Sequence, residues 1–248
     1  MSKININNKP KRNILRPVLQ RIIHVILSTL TELDVVGQEN FPQNGPVLVV
    51  ANHFSFIDPL AVIRATPRPI DFVGGFNMPN APAIVRWLPR LWGYYPVYRG
   101  SVSRGAITSS QEILSNGGVL GIFPEAGSWA KILRPARPGA AVIALRTGVQ
   151  IIPIGIDGAT EVFPKLRKGK RARLTIRIGK PFGPFNVTKK EERDREKLDQ
   201  IGDLIMNNIA DLLPPEQRGY YSDDPKIKEA SIEASKYPWQ NIQEGSQN

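Results

Sequence analysis

The chain contains no cysteine. It can form no disulfide and no thiolate metal site, and covalent catalysis through a thiol is closed to it. Histidine is almost as scarce, since His24 and His53 are the only two among 248 residues. Any imidazole chemistry must rest on one of them. Long apolar runs are also missing: the best candidate, Ile14 to Leu33, is interrupted by Arg16, Gln20, Arg21 and His24. It falls short of the ~20 apolar residues that a spanning helix needs. No small-residue cleavage site follows it, so it does not read as a cleavable signal either.

Acids are absent where bases are dense. Before Glu32 the chain carries Lys3, Lys9, Lys11, Arg12, Arg16 and Arg21 with no acid, and from Lys165 to Lys180 it carries eight Lys/Arg with no acid. With a net charge of +11 and a pI near 10.0, an anionic partner is expected, either nucleic acid, an anionic bilayer or an acidic ligand. No helix-turn-helix, zinc-finger or aromatic stacking pattern accompanies the basic segments, which argues against nucleic acid. Read as a helix opening near Pro17, the N-terminal stretch sets Arg16, Gln20, His24, Ser28 and Thr31 on one stripe. Leu15, Leu19, Ile22, Ile26, Leu30 and Leu33 lie on another. Such a basic amphipathic helix suits the headgroup layer of a membrane, or packs on the domain.

The length fits one domain with terminal appendages. Residues 1–34 are expected as a basic N-terminal segment, 35–218 as an α/β domain and 219–248 as a polar tail that wraps loosely or is disordered. Within the domain, short apolar runs alternate with helical stretches, which predicts a largely parallel sheet flanked by helices. Strands are expected at Val47 to Ala51, Val119 to Phe123, Gln150 to Ile156 and Leu174 to Ile178. Helices are expected at Pro59 to Thr66, Ser103 to Ser115, Pro138 to Arg146 and Lys189 to Leu213. Between Pro67 and Pro96 the chain is apolar yet broken by Pro and Gly, with Ala83 to Trp92 a stretch that could admit an acyl chain or simply pack in the core.

Directly after the first strand stands Asn52-His53-Phe54-Ser55-Phe56-Ile57-Asp58-Pro59. The C-terminal end of a strand is where open α/β sheets gather ligand sites. A spacing of five does not share a helix face, so a turn must bring Asp58 back toward His53. Asp58 and Pro59 are expected as N-cap and first helical residue. A carboxylate that holds an imidazole fixes its tautomer and stabilises the imidazolium, leaving the other nitrogen to take a proton. No Gly-x-Ser-x-Gly elbow supplies an enzyme nucleophile, so an acceptor hydroxyl is left to attack.

These residues resemble the glycerolipid acyltransferase family, which includes the lysophosphatidic acid acyltransferases. Its first block, Asn-His-x-x-x-x-Asp, matches Asn52, His53 and Asp58; its second, a strand ending in arginine, resembles Pro96-Val97-Tyr98-Arg99-Gly100. The third, Phe-Pro-Glu-Gly-Thr-Arg, matches only in Phe123-Pro124-Glu125, with Ala126-Gly127-Ser128 following; the fourth resembles Ile151-Ile152-Pro153-Ile154-Gly155. The resemblance implies that His53 is the base, that Asp58 orients it, and that Arg99, Glu125 and Asn52 contribute to acceptor binding. The third-block arginine is missing, and Arg134 or Arg137 stands near enough in sequence to replace its charge.

The function implied is transfer of a fatty acyl group from a thioester, acyl-coenzyme A or acyl carrier protein, to a hydroxyl of a lysoglycerolipid, possibly lysophosphatidic acid, in phospholipid biosynthesis. It needs no metal and no cofactor beyond the donor, with oxyanion donors near the third block. A peripheral position on the cytoplasmic face of an anionic membrane goes with it. Alternatives are another acceptor, such as a glycolipid or other lysolipid, or a non-catalytic module that binds anionic membranes.

Overall fold

Val47 to Ala51 has no polar side chain, and all five residues are buried. Successive side chains point to opposite faces, so Val47, Val49 and Ala51 enter one hydrophobic cluster while Leu48 and Val50 enter the other. A strand buried on both faces belongs in the middle of a sheet covered by helices. The computed structural model describes residues 9–75, 92, 95–97, 104–185 and 194–236. Its elements begin with α1 (Lys9–Leu30), β1 (Thr31–Val36), β2 (Val47–Ala51), α2 (Asp58–Ala65), β3 (Ile70–Gly75) and β4 (Tyr95–Val97). Then follow α3 (Arg104–Ser115), β5 (Val119–Ile122), α4 (Pro138–Thr147), β6 (Gln150–Asp157), α5 (Val162–Leu166), β7 (Ala172–Ile178), α6 (Arg195–Ala210) and α7 (Pro225–Ala234).

The seven strands are ordered β1-β7-β6-β2-β5-β3-β4. From β6 through β4 every pairing is parallel, β7 runs antiparallel to β6, and β1 pairs parallel with β7. The sheet is thus largely parallel, and the C-terminal ends of β2, β5 and β6 lie together. Helices α1 and α2 cover one face through Leu19, Ile23, Leu27, Ala61 and Val62. Helices α4 and α6 cover the other through Ala140, Ile143, Ala144, Ile201, Ile205 and Ile209. Each large aliphatic side chain buried this way contributes about 1.5–3 kcal/mol before chain entropy is set against it. The expected strands and helices outside α1 appear within a few residues of their predicted bounds, except that residues 189–193 of the long charged helix lie outside the described residues.

Helix α1 departs from its predicted form. It begins before Pro17, which sits in its interior, and ends at Leu30, where the Thr31 hydroxyl bonds to the Leu27 carbonyl at 2.6 Å and β1 begins. Its polar stripe is partly turned inward. Arg16 is buried and pairs with Asp71 at 2.5 Å, donating also to the Trp92 carbonyl, and Gln20 donates to the Ile63 and Thr66 carbonyls. Val18, Ile22, Val25, Ile26 and Leu30 are left exposed. The helix therefore carries two apolar faces, one packed and one open.

The region predicted as broken holds strand β3, and Trp92 is buried with its indole donating to the Ile70 carbonyl at 2.8 Å. Most of the stretch from Ala83 to Trp92 lies outside the described residues. The tail also departs from expectation. Tyr220 donates to the Leu133 carbonyl, Ser231 donates to the same oxygen, and Asp224 caps α7 by accepting from the Lys226 amide. As far as residue 236 it is docked on the 126–137 loop rather than loose.

Candidate active site

Strand β2 delivers its last residue, Ala51, to the C-terminal end of the sheet, and Asn52 follows fully buried. The Asn52 side-chain amide donates to the Ile156 carbonyl at 2.8 Å and its oxygen accepts the Ile156 amide at 2.7 Å. Asn52 thereby imitates one more ladder pair between β2 and β6. Its Oδ1 and one Nδ2–H are thus engaged with backbone, which ties the start of the loop after β2 to β6.

The next seven residues turn back on themselves around Asp58. Asp58 Oδ2 accepts the amides of Phe54 at 2.6 Å and Ser55 at 2.7 Å and lies 3.1 Å from His53 Nδ1. The expected pairing of His53 with Asp58 is present. Asp58 is not the helix N-cap, because its side chain reaches back to the loop instead of the helix amides, and Ile57 occupies the cap position. Burial raises the Asp58 pKa, while His53 and the two amides pull it the other way; Oδ1 has no hydrogen-bond partner.

With Nδ1–H donated to Asp58, Nε2 carries the imidazole lone pair. The ring is also held on its face: Phe123 stacks on it at 4.3 Å between centroids with 22° between planes, and Phe72 stacks beyond Phe123 at 6.1 Å. Phe123 went unassigned in the sequence. The signal available was its position at the head of the third block.

Glu125 reaches the first block from β5. Its Oε1 accepts the His53 amide at 2.8 Å, and its Oε2 accepts the Arg134 amide at 3.3 Å and stands 3.4 Å from Arg134 Nε, an ion-pair contact rather than a directed hydrogen bond. Burial pushes the carboxyl up to about 7 despite the Arg134 charge and both amides, with a small contribution in the same direction from Asp58. Glu125 thus ties the His53 backbone to Arg134 through its two carboxylate oxygens.

Arg134 is buried as well. Its guanidinium donates to the Gly127 carbonyl and lies 3.7 Å from the centroid of the Trp129 ring, and desolvation lowers its pKa. The close packing requires glycine at 127, since a Cβ there would stand 2.0 Å from a Trp129 ring atom. Arg134 therefore does not present its charge to solvent as a substitute for the missing arginine. Arg137 is exposed at the N-cap of α4, its amide donates to the Pro124 carbonyl, and its charge acts on Arg134. Arg99 lies outside the described residues. Trp129, whose indole donates to the Ala234 carbonyl at 2.9 Å, was not foreseen; a tryptophan beside glycine directly after the block was the available hint.

Among the described residues no group of three or more His, Asp or Glu side chains could hold a metal ion, and no helix is long and apolar enough to cross a membrane. The amides of His53, Phe54, Ser55 and Ala126 are all engaged, so an oxyanion must find donors elsewhere in the site. Gly127 and Ser128 follow directly.

The chain is 28% identical over 195 residues to a 1-acyl-sn-glycerol-3-phosphate acyltransferase of Chlamydomonas reinhardtii, covering 76% of this chain and 55% of that protein. It is 23% identical over 191 residues to the 1-acyl-sn-glycerol-3-phosphate acyltransferase of Bacillus subtilis, covering 77% and 92% respectively. The chain thus spans about half the length of its algal relative, and 50% of a chloroplastic Brassica napus one. The fold resembles the crystal structure of the 1-acyl-sn-glycerophosphate acyltransferase PlsC from Thermotoga maritima, with a TM-score of 0.57, 20% identity and 84% of each chain covered. The model of the Acyltransferase family matches residues 32–157, which include His53, Asp58 and Glu125, and the chain belongs to that family.

Proposed function

We propose that this chain moves a fatty acyl group from an acyl thioester to a hydroxyl of a lysoglycerolipid at an anionic membrane surface. The observation that supports it best is the His53–Asp58 pair, with Nδ1 held at 3.1 Å by a buried carboxylate on the loop after β2. His53 Nε2 takes the acceptor's hydroxyl proton as its oxygen attacks the thioester carbonyl. The tetrahedral intermediate collapses with cleavage of the C–S bond, and the imidazolium returns the proton to the departing thiolate. The oxyanion is assigned to donors of the Gly127–Ser128 turn. Acyl-coenzyme A and acyl carrier protein both satisfy this chemistry as donors. The open apolar stripe of α1, beside the basic N-terminal segment, supports a peripheral site of action on the cytoplasmic face.

Lysophosphatidic acid is the acceptor named for the relatives. The inward turn of Arg134 leaves Arg99 and Arg137 as the acceptor's cations, and it favours a second reading in which the acceptor carries less charge, such as another lysolipid or a glycolipid. Acyl transfer to lysophosphatidic acid, neutral lysolipids and glycolipid acceptors separates the two. A strong preference for lysophosphatidic acid that is lost in Arg99→Ala or Arg137→Ala supports the first; equal use of neutral acceptors supports the second.

A further inference from the structure

A groove of about 850 Å³ runs between α1, the C-terminal end of α2 and the loop after β1. Its polar lining consists mainly of Gln20, Arg21, His24, Gln38, Gln43 and Arg64, and no carboxylate lines it among the described residues. Arg64 Nε is buried there without a hydrogen-bond partner, and burial lowers the pKa of that guanidinium. Arg64 is half-buried, and an anion seated against its free N–H would satisfy it in a groove that offers no carboxylate.

The neighbouring surface says which kind of anion. On α1 the groove takes the stripe Pro17, Gln20, Arg21, His24 and Val25, which lies beside the exposed apolar stripe of Val18, Ile22, Val25 and Ile26. Val25, exposed by 63%, belongs to both. A free anion has no use for the apolar stripe. A phospholipid uses both surfaces: its phosphate meets Arg64 and Arg21 while its chains and neighbouring lipids cover the apolar side.

We propose that this groove is a seat for the phosphate headgroup of a membrane phospholipid, separate from the His53 site, and that it sets the orientation of α1 on an anionic bilayer. The proposal rests on the membrane-surface reading above, but it is tested without turnover. The experiment is sedimentation of the full chain with phosphatidylcholine vesicles, with and without phosphatidylglycerol. Arg21→Gln/Arg64→Gln should weaken binding to the anionic vesicles at least about tenfold. Arg64→Lys, which keeps the charge but loses the planar fork, should weaken it about threefold or more. Arg146→Gln/Lys226→Gln removes the same charge from exposed positions on α4 and α7 and should stay within about twofold. Arg21→Gln alone, at an exposed position, covers the case in which the Arg64 variants fold poorly, and should lose at least about threefold. If Arg64→Lys and Arg21→Gln bind like the wild type, or if the Arg146/Lys226 control loses as much, attraction is diffuse and the seat does not exist. If inorganic phosphate at constant ionic strength stabilises the wild type through Arg64 while vesicle binding is the same in every variant, the groove takes a soluble anion and the lipid assignment is overturned. His53→Ala should bind vesicles like the wild type, so failure of the acyl-transfer reading would leave these results standing.

Discussion

His53 and Glu125 stand 72 positions apart, yet the His53 amide donates to Glu125 Oε1 at 2.8 Å, so the third block holds the backbone of the first. His53 is therefore fixed three ways: by Asp58 at its ring edge, by Phe123 on its ring face and by Glu125 at its main chain. Each fixes a different degree of freedom.

The Glu125 contact has a pH signature. Burial raises its carboxyl from the ordinary 4.5 to about 7 even with Arg134 facing it, and Asp58 adds to the rise, so the folded state holds this proton more tightly than the unfolded state. The favourable contribution is complete below pH 4.5 and is lost as pH rises through about 7. Glu125→Gln has no such proton to lose. Over that interval the wild type should lose roughly 3 kcal/mol relative to Glu125→Gln, read by chemical denaturation at several pH values. A constant difference between the two proteins would refute the raised carboxyl.

Ala126 adopts a φ of 59°, a left-handed conformation in which a Cβ is strained, at the position where the family pattern places glycine. Ala126→Gly should relieve about 1–2 kcal/mol of strain and give back about 0.4–1 kcal/mol to unfolded-chain entropy. The net expectation is a stabilisation of up to about 1.6 kcal/mol, seen as a melting temperature a few degrees higher. A lower melting temperature would contradict the strained turn.

Asn52 stitches β2 to β6 through the Ile156 backbone, and Asn52→Ala would leave a buried N–H and C=O unpaired. At about 1–3 kcal/mol for each abandoned group, the variant should lose roughly 2–6 kcal/mol of stability while the KM for acceptor changes little at temperatures where it is folded. A large rise in KM with unchanged stability would return Asn52 to the acceptor site.

The sequence made the central strands and their flanking helices legible because their apolar runs are unbroken and bounded by Gly and Pro. Gly148 closes α4 in the left-handed conformation expected of it. Strand β1 was hidden: Glu32 and Asp34 interrupt its pattern, and its place depends on β7, to which Thr31 pairs at Ala172. The facing of α1 was equally hidden, since periodicity sorts residues into stripes but does not say which stripe finds partners. Asp71 and the carbonyls of Ile63 and Thr66 decided that. Asp224-Pro225 was a readable helix start, overlooked in a polar segment whose anchors, Leu133 and Trp129, lie about a hundred residues upstream. The His53–Asp58 pair was legible because both halves lie in one short loop. The inward turn of Arg134 was not, because a nearby cation in sequence carries no direction.

Acceptor-dependent thiol release from an acyl thioester tests directly whether His53 takes the acceptor's proton with Asp58 behind it. The wild type should release thiol when a lysoglycerolipid is supplied. His53→Ala should fall by about 10²–10⁴-fold and Asp58→Asn should fall as well, both with vesicle binding and circular dichroism unchanged. A folded His53→Ala that releases thiol at the wild-type rate would show that His53 is not the base, and a wild type whose release ignores the lysolipid would show that no acceptor hydroxyl attacks.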